Sequence, residues 1–293
     1  MLDFRITTFL TVCKFMNYTK AAQYLNITQP AVSQHIKYLE SEYHVRLFYL
    51  DGKKLCLTES GRILYKKMEL LRNDESKLKK ALNESDFMSQ DIAFGVTMTI
   101  GEYEVAAPIS AFIKKNPDIN LKVCFGNTAE LLQALENGSI DFALVEGYFP
   151  INEYDWLVYK TVDFIPVCSS SHVFENELLF IKDLFDQRII IREPGSGTRN
   201  VLERFLAVQG YSIADFKSSL QVENMHLVIR LLSYDCGITF LYKSAVEKEL
   251  SSGSLRELRL DDFSIRHDFT FIWQKNSIFS EEIRRKCCEI FMQ

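Results

Sequence analysis

The stretch TQPAVSQHIKYLE, residues 28–40, places a proline where only one local structure accommodates it well. Thr28 is a good N-cap, and Pro30 then falls in the first helical turn, where a missing N–H costs nothing and the ring's fixed φ suits the helix. Val32, Ile36 and Leu39 follow at steps of four and three, the spacing of a buried stripe. Gln29, Ser33, Gln34 and Lys37 face the other way. Upstream, Phe4, Thr8, Phe9, Val12 and Cys13 predict a helix from about Asp3 to Phe15. A second helix is expected to open at Thr19 as its N-cap, with the small pair Ala21-Ala22 before Leu25 permitting a close crossing. Two short helices joined by the tight turn NIT form a helix-turn-helix pattern. Glutamine pairs bidentately with adenine, serine fits either groove edge, and lysine reaches phosphate or guanine. A solvated amphipathic helix would present the same face. VRLFYLDGKKLCLT, 45–58, shifts the balance: it reads as strand, Asp-Gly turn and strand, with Lys53 and Lys54 placed like a wing for phosphate or the minor groove.

Charge is distributed unevenly in the same sense. Residues 1–80 hold 14 Lys+Arg against 8 Asp+Glu, and the remainder 20 against 31. A basic head on an acidic body points the head at a polyanion. The 293 residues exceed one compact core, so two or three units are expected. No run of about 18 apolar residues is present to span a membrane. The N-terminus, with Asp3 and no small-residue cleavage site, is a poor signal peptide. Seven cysteines, at 13, 56, 124, 168, 236, 287 and 288, include no C-x-x-C and read as reduced packing residues of a cytoplasmic protein.

FLTVCKFMNYTKAAQYLNITQPAVSQHIKYLE followed by RLFYLDGKKLCLTESG resembles the N-terminal domain of LysR-type transcriptional regulators, and the rest of the chain follows that family's pattern. The resemblance implies an α/β protein with an N-terminal winged helix-turn-helix (1–58), a long linker helix used for dimerisation (59–88), and a two-lobed, periplasmic-binding-protein-like effector domain (89–293). Lobe one would hold about 89–162 and 266–293, and lobe two about 163–265. Base-reading and phosphate positions would fall on Gln29, Pro30, Ser33, Gln34 and Lys37, with wing contacts on Lys53 and Lys54. One departure is Leu50, where the family usually has arginine. The linker itself carries two seven-residue lanes, Leu64/Leu71/Leu78 and Met68/Glu75/Leu82, broken only by Glu75. They point to a helix that pairs with a second copy, although packing on its own head is the simpler alternative. Paired heads, in a homodimer or homotetramer, would meet a two-part operator on double-stranded DNA, with RNA polymerase as a further partner. NESDFMSQD, 83–91, is the expected hinge.

Beyond it, strand and helix patterns alternate: DIAFGVTM, EYEVAAPISAFIKKN, INLKVCF, TAELLQALENG and SIDFALVEG, then DFIPVCSS, RIIIREP, TRNVLERFLAVQG, SSLQVEN, GITFLYKS, HDFTFIWQ and a closing helix. This is βαβ order and a mostly parallel sheet. The turns after the strands carry cap-like residues: Thr99 with Glu102 as a capping box, Asn127 and Thr128, and Ser196 and Thr198 in EPGSGTRN. Capping alone explains each turn singly. Their recurrence at successive strand ends points to a shared cleft, where free N–H groups and the helix dipole favour a small anionic effector. The family resemblance places effector contacts on Thr97, Thr99, Asn127, Thr128, Ser196, Thr198 and the Glu223-Asn224 turn. Arg192 and Arg199 would add charge or simply lie on the surface. Glu146 would repel a second carboxylate unless it pairs with an arginine or lysine. No cofactor or metal is called for.

Enzyme readings find little support. GSGT is not a P-loop, and no G-x-S-x-G is present. The five histidines (35, 44, 172, 226, 267) make no metal spacing, and Ser196 has no evident base. His35 is better read as structural or DNA-facing. The remaining alternative is a metabolite-binding or enzymatic α/β protein whose head serves protein contacts.

Overall fold

The computed structural model describes residues 2–83 and 92–292, and the chain forms two compact units. Apart from Asn83, the expected hinge lies outside the described residues.

The first unit runs α1 (Phe4–Phe15), α2 (Tyr18–Leu25), α3 (Gln29–Glu42), β1 (Phe48–Asp51), β2 (Lys54–Leu57) and α4 (Glu59–Asn83). Asp3 caps α1 by accepting from Arg5 N at 2.7 Å. The start of α2 corrects the expectation. Asn17, not Thr19, is the N-cap and accepts from Lys20 N, because Met16 turns left-handed and leaves Asn17 as the first extended residue. Thr28 caps α3 as expected, accepting from Ala31 N. Val32, Ile36 and Leu39 are 0, 2 and 4% exposed, burials that stabilise by about 1.5–3 kcal/mol each. They pack with Phe9, Val12, Ala21, Ala22, Leu47 and Phe48. The hairpin turns through Gly52 at φ +60°, a backbone that L side chains resist, and sets Asp51 opposite Lys54. Thr58 precedes α4, its Oγ1 accepting from Gly61 N at 3.0 Å. Leu64, Tyr65 and Met68 of α4 pack on the head's own core, whereas Leu71, Leu78 and Leu82 are exposed. Glu75, the break in the apolar lane, accepts from Leu2 N and pairs with Lys79 at 2.8 Å.

The second unit contains β3 (Ile92–Val96), α5 (Met98–Tyr103), α6 (Ala106–Lys115), β4 (Leu121–Phe125), α7 (Thr128–Glu136), β5 (Phe142–Val145), β6 (Tyr154–Ser169), β7 (Arg188–Ile191), α8 (Gly197–Val208), β8 (Ser218–Gln221), α9 (Met225–Ser233), β9 (Ile238–Tyr242), α10 (Glu247–Ser252), β10 (Leu255–Glu257), β11 (Ile265–Gln274) and α11 (Ser280–Phe291). A nine-stranded sheet runs β4-β3-β5-β11-β6-β9-β7-β8, with β10 beside β6. It is two parallel halves, β4-β3-β5 and β9-β7-β8, joined by the long antiparallel pair β6 and β11. The strand FALV of β5 is buried at every residue, as suits a strand covered on both faces. Phe94, Phe142, Phe271 and Phe291 stack around it in the first half. In the second half, Ile165, Val167, Ile190, Met225 and Val228 form a separate cluster.

The early part of one strand and the whole of another were not expected. β6 begins at Tyr154, well before DFIPVCSS, and its first part is mostly half-buried against β11, with Trp156 exposed. The short β10 adds an edge to β6. β6 runs past residue 162 and pairs with β11, which begins at Ile265, so the antiparallel pair joins the two halves.

Candidate functional site

The first unit offers a polar helix face. Gln29, Pro30, Gln34 and Lys37 are exposed on α3, and Ser33 is half-buried. Gln29 Nε2 donates to Ser33 Oγ at 2.9 Å, one turn apart, so the two present a joined amide-hydroxyl edge. Lys53 and Lys54 are exposed at the hairpin, with Leu50, 68% exposed, close by on β1. His35 is not on this face: its ring meets Thr8 Oγ1 at 2.9 Å and the edge of Phe4, a packing role. Arg5 lies over the ring of Tyr38 at 4.0 Å and adds a fixed cation on the same unit.

The second unit holds a buried polar cluster built around Glu146, which follows β5 and is 2% exposed. Its carboxylate accepts from Thr97 Oγ1 at 2.5 Å, Thr99 Oγ1 at 3.1 Å and Thr198 Oγ1 at 3.2 Å. The first two donors follow β3; the third lies in the first turn of α8, after β7. Hydroxyls from both halves of the sheet therefore converge on one carboxylate. Tyr242 Oη, at the end of β9, donates to the Glu146 carbonyl at 3.0 Å. Close approach is secured by Gly147 and Gly197. A Cβ on Gly197 would lie 2.8 Å from Glu146 Cγ and from Gly147 N, and one on Gly147 would lie 2.4 Å from Thr128 Oγ1.

Burial pushes the Glu146 carboxyl above its usual range, while the threonine hydrogen bonds and the Arg192 charge pull it down. Arg192 is itself 4% exposed, and its Nε and Nη2 donate to Glu193 at 2.9 and 3.1 Å. Its Nη1 and the Thr128 hydroxyl are buried without a hydrogen-bond partner. Arg192, Thr198, Met225 and Thr239 line a cavity of about 10 Å³, the room of one water. His267 lies beside Tyr242 Oη, and its ring meets Tyr148 at 5.1 Å, over which Arg204 lies at 3.6 Å; burial lowers the His267 pKa.

The expected site residues divide by what their side chains do. Thr97 and Ser196 occupy the N-cap positions of α5 and α8, yet neither side chain caps its helix. The Thr99-Glu102 capping box does not form: Thr99 lies inside α5, and its hydroxyl serves Glu146. Thr128 and Ser196 are buried, 5 and 3% exposed. Asn127 does cap, in a reciprocal pair with Glu130 at 3.0 and 2.9 Å, and its side chain lies 3.4 Å from where a Cβ on Gly195 would be. Asn224 caps α9 through Leu227 N, and Glu223 beside it is exposed; no hydrogen bond ties either to the Glu146 cluster. Arg192 is buried, while Arg199 bonds Glu203 and the Arg192 carbonyl. Sequence reasoning missed Tyr242, Tyr148 and Arg204. Tyr242 had a usable signal, since it ends a parallel strand on the side where open sheets bind ligands. Among the described residues no cluster of three His, Cys, Asp or Glu is arranged to hold a metal, and no helix is long and apolar enough to cross a membrane.

Comparison with known proteins matches both units. Residues 5–62 match the family described as "Bacterial regulatory helix-turn-helix protein, lysR family", and residues 86–285 match "LysR substrate binding domain". The chain is 28% identical to the HTH-type transcriptional regulator CysL of Bacillus subtilis over 98% of this chain and 94% of the relative. It is 25% identical to the RuBisCO operon transcriptional regulator of Allochromatium vinosum over 94 and 91%. Among solved structures, full-length LysG from Corynebacterium glutamicum with bound effector Arg aligns with a TM-score of 0.68 at 14% identity, covering 100% of this chain and 97% of that one. The Synechocystis CcmR regulatory domain in complex with 2-PG aligns at 0.61 and 18% identity, covering 69 and 96%.

Proposed function

The chain belongs to the LysR family of helix-turn-helix transcriptional regulators, and from that premise we propose how its residues divide the work. It is a DNA-binding regulator with an effector-binding domain, not an enzyme. In this reading Gln29, Pro30, Ser33, Gln34 and Lys37 meet base edges and phosphates of a cytoplasmic operator, and Lys53 and Lys54 hold phosphates beside it. The carrying observation is α3 itself. Its apolar stripe is spent on the head's core, and its amide, hydroxyl and ammonium groups stand exposed. Leu71, Leu78 and Leu82, exposed along α4, pair with a second copy, so a homodimer or homotetramer reads a two-part operator and presents itself to RNA polymerase. A small molecule bound around the Glu146 cluster favours one arrangement of the halves over another and so alters operator binding or promoter activity. The hydroxyl donors and the N-terminus of α8 are chemistry suited to an anionic group, a place that the Glu146 carboxylate itself fills.

Fluorescence anisotropy with DNA upstream of the protein's own gene tests the DNA half. Lys37→Ala weakens binding, and the plot of log affinity against log salt loses a slope of about 1. An unchanged slope removes the phosphate contact from Lys37, and no DNA binding by the wild type at low salt defeats the reading.

A further inference from the structure

We propose that Glu146 is a tethered anion: its carboxylate takes the place in the cleft that a free anionic effector would fill, and so directs specificity toward ligands that bring hydrogen-bond donors or positive charge, such as amines and guanidines. The inference rests on the reading that the Glu146 cluster is the effector's place.

Three observations carry it. The three donors are committed to one internal acceptor, and they come from both halves: Thr97 and Thr99 from the end of β3, and Thr198 from α8. An anion arriving from solution finds these hydroxyls in use. Space is also scarce, enough for one donor group of a ligand but not for a second carboxylate. Gly197 and Gly147 meet backbone to backbone, with Gly147 N only 2.8 Å from where a Cβ on Gly197 would lie, and the neighbouring cavity of about 10 Å³ has the room of a single water. Finally, the carboxylate brings a negative charge of its own into the site. Arg192 gives two of its nitrogens to Glu193, and its charge acts on Glu146 without a hydrogen bond between them. A carboxylate or phosphate entering beside it meets a like charge in a water-poor site. An ammonium or guanidinium meets an opposite one. A carboxylate offers about four lone-pair directions, and the threonines use three, so one acceptor direction remains for a donor on the ligand.

Chemical rescue of the full-length protein, read as melting temperature at matched ionic strength, tests this. The Glu146→Ala variant has a lower melting temperature than the wild type. Sodium formate at tens of millimolar, but not sodium chloride, raises it by several degrees, while the wild type moves by less than a degree. Adding Thr198→Val to Glu146→Ala removes the rescue. Agmatine and methylammonium raise the wild type and leave the isosteric Glu146→Gln unchanged. That variant keeps the shape of the site, so this arm reads out even where the alanine variant fails to fold. A formate shift in the wild type as large as in Glu146→Ala strikes down the tether alone. Equal amine shifts in wild type and Glu146→Gln, or no amine shift in either, strike down the specificity. Insensitivity of every variant to every probe removes the ligand site from this cluster, and in all these cases the DNA-binding reading stands or falls by its own assay.

Discussion

Thr97 stands at the N-cap position of α5 and leaves that helix uncapped, because its hydroxyl is given to a carboxylate 49 residues away. Single side chains of this kind set the chemistry of the second unit. Removing one donor to a buried carboxylate costs about 1.5–3 kcal/mol, so Thr198→Val lowers stability by that much in urea titrations and also weakens the link between the halves. The carboxylate has a pH signature as well. Burial raises the folded pKa of Glu146 above its unfolded value of 4.5, so the folded state binds the proton more tightly. The contribution of Glu146 is fully present below the unfolded pKa and is lost as pH rises through the folded one. Glu146→Gln removes that loss. Relative to wild type it gains stability at pH 8, and the gain narrows toward pH 5 in a melting series. Arg192 and the threonines oppose the shift but do not cancel it, and Tyr242 stays neutral throughout because burial raises its pKa well above 10. His267, its pKa lowered by burial, acts with the opposite sign: its contribution is present above 6.5 and is lost as pH falls, so the comparison with Glu146→Gln rather than the wild-type curve alone isolates the carboxyl. The cap-like residues were legible in the sequence as a set, but their roles were not. Asn127 and Asn224 bond within three residues, which sequence can see, whereas Thr97, Thr99 and Thr198 bond across about fifty, which it cannot.

At the level of elements, local signals carried the first unit well. Pro30 and Thr28 fixed the start of α3, and its stripe is the buried one. The error at α2 is instructive: Thr19 is a good capping residue in the wrong place, because the left-handed Met16 decides which residue is first extended. Asn17→Ala therefore costs about 1 kcal/mol, while Thr19→Ala stays within about 0.5 kcal/mol by chemical denaturation. The linker helix packs Leu64 and Met68 on the head and leaves Leu71, Leu78 and Leu82 exposed. Replacing Leu78 and Leu82 together with glutamate lowers the solution mass measured by light scattering, and with it the affinity for a two-part operator. An unchanged mass assigns assembly to another surface. The early part of β6 escaped the sequence because its mixture of tyrosine, tryptophan, aspartate and lysine has neither a continuous apolar run nor clean alternation; pairing with β11 supplies the order.

As a whole molecule, the chain is two compact units with separate apolar cores. Calorimetry should resolve two transitions, and Ile36→Ala, which opens a cavity in the head at a cost of about 2–5 kcal/mol, moves only one of them. A single transition shifted as one would show that the units melt together. The βαβ order of the second unit was legible from alternation alone. The joining of the halves by one antiparallel pair was not, because it depends on the register of β6 against β11 over ten paired residues, a long-range property that no window of sequence contains. That shared ribbon has a mechanical meaning. The halves are not beads on a string but the two ends of a leaf spring, whose bending and torsion leave them few independent ways to move and a restoring force after each excursion. A ligand that favoured one arrangement would therefore be felt at the far end as a constrained turn rather than a free swing.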